Sequence, residues 1–98
     1  MRNRFGPAGF YVLDEPESAL SAARQLAMLE RLHQLVLQGS QFIIATHSPI
    51  LLAYPDSKIL QVGERGLAEV AYRDTDSFRT TRNFLNNYEA AIKIIISE

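Results

Sequence analysis

The chain has 98 residues, 47% hydrophobic and 21% charged, with a formal net charge of −1 and no cysteine. This is the composition of one soluble globular domain burying about 60–65% of its unfolded surface, and it excludes disulfides and thiolate metal sites. No apolar run approaches the ~20 residues of a membrane span, and Met1-Arg2-Asn3-Arg4 leads into no signal-like segment, so no membrane and a cytoplasmic setting are expected.

The near-zero charge lends no support to a nucleic-acid partner, although it leaves room for a local basic patch. Residues 1–9 read as a basic lead-in and a turn, because Gly6-Pro7 and Gly9 break any helix there. Phe10-Tyr11-Val12-Leu13 follow, four apolar residues that suit a short strand buried on both faces. The strand runs into Asp14-Glu15-Pro16. Two adjacent carboxylates are costly to bury, so they should sit where the strand emerges into a cleft. Pro16 lacks an N–H and turns the chain out of the sheet.

After a polar turn, Glu17-Ser18-Ala19-Leu20-Ser21, a helical pattern runs over about residues 22–38. Leu20, Ala23, Leu26, Ala27, Leu29, Leu32, Leu35 and Val36 make one apolar face. Arg24, Gln25, Glu30, Arg31, Gln34 and Gln38 fall mostly on the other. Ser18 or Ser21 can cap the start, and Gly39 suits the left-handed position past the end. His33 lies among polar residues and reads as a solvated surface histidine, with no metal-binding partner at helical spacing.

Gln41-Phe42-Ile43-Ile44-Ala45-Thr46 is a second buried strand, which makes a βαβ unit with parallel strands. Parallel strands end on the same edge, so Asp14-Glu15 and Thr46-His47-Ser48 should converge where open α/β sheets bind ligands. Pro49 then starts a single helical turn, ended by Pro55. Residues 58–62 and 67–72 alternate around Gly63-Glu64-Arg65-Gly66, the pattern of a hairpin that completes a sheet. Asp74 or Asp76 can cap a helix reaching about Asn87. The tail from Tyr88, with Ile94-Ile95-Ile96, is open between helix and strand.

Phe10-Tyr11-Val12-Leu13-Asp14-Glu15-Pro16 resembles the Walker B motif of ABC-type P-loop ATPases, and Glu17-Ser18-Ala19-Leu20-Ser21 resembles their D-loop. Ala45-Thr46-His47-Ser48-Pro49 resembles their switch-histidine loop, and all three stand in the family's order. The nearest likeness is to soluble AAA-type ATPases allied to recombination and chromosome-maintenance ABC proteins. It spans about residues 1–75 and implies a partial P-loop NTPase fold of α/β class, a parallel βαβ core followed by a β-hairpin and a C-terminal helix.

The same resemblance implies ATP and Mg²⁺ as cofactors of the intact protein. Asp14 would hold Mg²⁺ through water, and Glu15 would orient or deprotonate the attacking water. His47, in the loop with Thr46, would contact the γ-phosphate and sense its loss. Ser18, Ala19 and Ser21 would lie at the interface of a head-to-tail homodimer, with Ser21 standing where that loop commonly has aspartate. The chain contains no G-x-x-x-x-G-K-[ST] and no signature segment. On the resemblance, both belong to an N-terminal half that precedes residue 1, residues 2–5 read as the tail of the helix after the signature, and the chain alone should not hydrolyse ATP.

Two other readings stand beside this one. The first is a non-catalytic interaction or dimerisation module derived from an ATPase, whose association would be indifferent to ATP and Mg²⁺. The second is an unrelated hydrolase using Asp14, Glu15, His47 and Ser48, although no nucleophile elbow precedes Ser48.

Overall fold

The computed structural model describes residues 9–97, so the expected turn at Gly6-Pro7 and the helix tail at residues 2–5 lie outside it. The chain divides into two compact units, Met1–Pro55 and Asp56–Glu98. Both are mixtures of strand and helix.

The first unit runs β1 (Phe10–Asp14), α1 (Ala22–Leu37), β2 (Gln41–Ala45) and a 3-10 turn at Leu51–Ala53. As the apolar runs require, β1 and β2 are parallel neighbours, paired from Phe10 opposite Gln41 to Asp14 opposite Ala45. The pairing is extended at both ends. The Gln41 N–H donates to the Gly9 carbonyl at 2.8 Å, and the Glu15 N–H donates to the Ala45 carbonyl at 2.7 Å. The Tyr11 and Phe42 rings stack across the pair with centroids 5.0 Å apart.

Burial on both faces is not what these strands show. Tyr11, Leu13, Phe42 and Ile44 are half-buried, whereas Phe10, Val12 and Ile43 are 58%, 67% and 58% exposed. The reason is that successive strand residues point to opposite faces, and a single crossover helix can cover only one of them. β2 also stops at Ala45, so Thr46 belongs to the loop.

α1 is capped at Ser21, not Ser18: the Ser21 side chain accepts from the Arg24 N–H at 3.2 Å. Its other end closes with Gly39 at φ 97°, the Gly39 N–H donating to Val36 and the Ser40 N–H to Leu35. Those two bonds are the Schellman pattern, which needs a left-handed residue that glycine adopts without a Cβ penalty. The covered stripe of α1 is narrower than the expected apolar face and rotated from it. Gln25, Met28, Leu29 and Leu35 are half-buried around the buried Leu32, while Ala23, Leu26, Ala27 and Val36 are exposed. Gln25, expected on the polar face, is therefore on the covered side. The covered residues recur at i, i+3/4 and i+7, the spacing of one narrow helix face.

The second unit holds β3 (Ile59–Gly63), β4 (Gly66–Val70), a 3-10 turn at Tyr72–Asp74, α2 (Asp76–Asn86) and α3 (Tyr88–Ile96). β3 and β4 pair antiparallel as a two-stranded sheet of their own rather than completing another. The positive φ that this hairpin needs sits at Gly66, at 101°. The cap of α2 is Thr75, not Asp74 or Asp76: Thr75 Oγ1 accepts from the Phe78 N–H at 3.1 Å, and the residue is 2% exposed. A β-hydroxyl can be buried once its own proton is donated, here to the Tyr72 carbonyl at 2.8 Å, whereas a carboxylate could not be buried so cheaply. Asn87 ends α2 as expected, and the tail resolves as helix. Phe78 packs against Tyr72 and lies beneath the Arg73 and Arg82 guanidinium groups, at 5.7 and 5.6 Å from its centroid.

Candidate active site at the ends of β1 and β2

Because β1 and β2 are parallel and in register, Asp14 ends one strand beside Ala45, the end of the other. The loop of residues 15–21 and the loop of residues 46–50 therefore leave the sheet at one edge. This brings Asp14, Glu15, Thr46 and His47 to that edge, as the sequence predicted. Asp14, Glu15 and His47 are exposed and Thr46 is half-buried. Asp14 alternates in phase with Phe10 and Val12, so it belongs to the bare face of the sheet.

The acid loop is held by its backbone. The Ser18 N–H donates to the Glu15 carbonyl at 3.1 Å and the Leu20 N–H to the Glu17 carbonyl at 2.8 Å, two successive turns. Glu15 takes φ 49°, in the left-handed region, while its N–H still extends the parallel ladder. A non-glycine residue there costs about 1 kcal/mol or more, and such backbone outliers cluster at functional sites. Ser18, Ala19 and Ser21 are exposed around these turns. Ser21 is already engaged as the helix cap. Glu17 Oε1 is buried and, among the described residues, has no hydrogen-bond partner.

The hydroxyl loop is held by side chains. Thr46 Oγ1 accepts from the Ser48 N–H at 3.0 Å, which fixes the backbone on both sides of His47. Ser48 is 5% exposed, and its Oγ accepts from the Ile50 and Leu51 N–H groups at 3.1 Å each. The hydroxyl then donates to Gln25 Oε1 at 2.5 Å. Ser48 thus holds the backbone entering the 3-10 turn, closed off from solvent and with its proton committed. That removes the nucleophile from the unrelated-hydrolase reading. His33 is exposed, as expected, but it has a partner: its Nδ1 lies 2.8 Å from Tyr54 Oη.

Among the described residues, no three histidine, aspartate or glutamate side chains are grouped to hold a metal ion between them. Mg²⁺ does not need such a cage. It binds through one or two carboxylates and keeps waters and substrate phosphates as its remaining ligands. An exposed carboxylate at a strand end fits that donor requirement, and Asp14 supplies one. No helix among the described residues is long and apolar enough to cross a membrane.

No protein-family model matches this chain, and no curated protein matches it. The functional reading therefore rests on the site.

Sequence reasoning missed Gln25, although a signal for it existed. Position 25 is in phase with Leu29, Leu32 and Leu35, so a polar residue there falls on the covered stripe and needs a partner.

Proposed function

We propose that this chain is the Walker B, D-loop and switch-histidine portion of an ABC-type P-loop ATPase. The observation that carries this reading is the parallel, in-register pairing that delivers an Asp-Glu pair and a Thr-His pair to one sheet edge. Asp14 would hold Mg²⁺ through water, and that ion would supply charge neutralisation for phosphoryl transfer. Glu15, exposed at the sheet edge, would orient the attacking water and accept its proton. His47 donates to the γ-phosphate from a loop pinned by Thr46 and Ser48, so loss of that phosphate removes its partner. Phosphoryl transfer asks mainly for such positioning and charge stabilisation.

The bare face of the β1–β2 sheet supports the same reading. Among the described residues only Leu32 and Leu51 are buried apolar side chains. Parallel strands ordinarily have both faces covered, and a two-stranded sheet is marginal by itself. Phe10, Val12 and Ile43 thus suit a sheet completed by another segment. On this reading that segment carries Walker A and the signature, and the working unit is a head-to-tail homodimer with Ser18, Ala19 and Ser21 at its interface. The chain alone is then inactive. The exposed apolar residues also favour a second reading, a non-catalytic interaction module, whose self-association would not respond to nucleotide.

The test is to read the DNA upstream of the Met1 codon and to assay the protein that the whole open frame encodes. An in-frame G-x-x-x-x-G-K-[ST] and ATP hydrolysis are expected. Glu15→Gln should lower kcat by about 10²-fold or more while nucleotide binding is retained, the size of effect for a lost general base. A frame with no such motif, together with no ATP-dependent association, would sink the proposal in favour of the interaction module.

A further inference from the structure

The two loops at the candidate site are joined by one side chain. Gln25 Nε2 donates to the Leu20 carbonyl at 3.2 Å, at the end of the acid loop. Its Oε1 accepts from Ser48 Oγ, in the hydroxyl loop. The orientation of the amide follows from its partners: the Leu20 carbonyl can only accept, and Ser48 Oγ, already accepting from two N–H groups, has a proton to give. Glutamine is the residue that answers both demands. Glutamate would set an oxygen against the Leu20 carbonyl, and an aliphatic residue would leave both partners bare. Gln25 is also fixed at its own backbone, where its N–H donates to Ser21 at 2.9 Å as the first turn of α1 begins.

We infer that Gln25 is a positioning residue that mechanically couples the acid loop to the histidine loop. A shift of residues 17–20 moves the Leu20 carbonyl, and through Gln25 it moves Ser48. Ser48 is bound to Thr46 and adjoins His47, so the shift reaches the histidine. On the ATPase reading, which this inference deepens, a change at the Ser18, Ala19 and Ser21 surface is thereby felt at the γ-phosphate sensor. The coupling itself requires no nucleotide.

The experiment is amide hydrogen exchange by NMR on the full chain without nucleotide. Ser48→Ala cuts the bridge at one end, and the Ser18 and Leu20 amides, in the other loop, should exchange about fivefold faster, the equivalent of one ordinary hydrogen bond. In a Gln25→Met background, Ser48→Ala should add nothing at those two amides. Unchanged exchange at Ser18 and Leu20, or an undiminished effect in the Gln25→Met background, overturns the inference.

Should Ser48→Ala fail to fold, Gln25→Asn, one methylene too short to span both partners, serves instead. It should accelerate Leu20 together with Ile50 and Leu51 while Leu29 and Leu32 in mid-helix stay protected. Acceleration in one loop only, or along the whole helix, overturns the coupling. Absence of ATP binding by the protein that the whole open frame encodes, with this exchange pattern intact, would remove the ATPase reading and leave the bridge standing.

Discussion

The two loops at the sheet edge solve the same problem in opposite ways. The loop after β2 is fully provisioned: Thr46 and Ser48 hydroxyls satisfy three backbone N–H groups, and Ser48 is sealed from solvent. The loop after β1 carries its costs openly. Glu15 is left-handed, and Glu17 has a buried oxygen without a partner among the described residues. Side-chain hydrogen bonds are concentrated in the loop that carries His47. Strain is concentrated where the two carboxylates are presented, which is the distribution expected when function, rather than folding, selects the residues.

Breaking the provisioned loop should have the largest effect on stability. Ser48→Ala leaves the Ile50 and Leu51 N–H groups and Gln25 Oε1 without their partner, and should destabilise the chain by about 2 kcal/mol. A urea midpoint unchanged from that of the parent would contradict the assignment of a structural role to Ser48. The strained loop should respond with the opposite sign. Glu15→Gly relieves the positive φ but adds unfolded-chain entropy, and a net stabilisation of about 0.5–1 kcal/mol is expected in the same assay. Destabilisation by Glu15→Gly would show that the carboxylate is held by more than its backbone.

The smallest effect belongs to Asp14. It is exposed, so Asp14→Asn should change stability by no more than about 0.5 kcal/mol. On the proposed ATPase reading it should nonetheless abolish Mg²⁺-dependent nucleotide binding in the protein that the whole open frame encodes. A large stability change would recast Asp14 as structural and blur the contrast between the two loops.

Much of the first unit was legible in the sequence because apolar patterning and terminal signals agreed. The runs at residues 10–13 and 41–45, the serine before residue 22 and the glycine at 39 each point to what they form. The parallel convergence followed from them without side-chain detail. What went unread were features that depend on partners. A polar residue in a helix is assigned outward by pattern, so Gln25 was placed on the wrong face. Glutamate carries no conformational signature of a left-handed backbone, so Glu15 looked ordinary. Asp74 and Asp76 are stronger capping residues on average than Thr75, but the cap had to be buried, and there a hydroxyl with two partners outcompetes a carboxylate. The one-sided exposure of β1 was hidden too, since a fully apolar strand does not reveal which neighbours cover it.

The strand register described above also governs how the chain tolerates changes in length. Residues 16–20 could gain or lose a residue and the β1–β2 ladder would be undisturbed, because no bond of that ladder falls within them. A single insertion between Phe10 and Asp14 is different in kind. With a side-chain period of two, it would carry Asp14 from the exposed face of Phe10 and Val12 to the half-buried face of Tyr11 and Leu13. Length variants of this protein should therefore be absent from the strand, and the carboxylate's address is written in the parity of five residues.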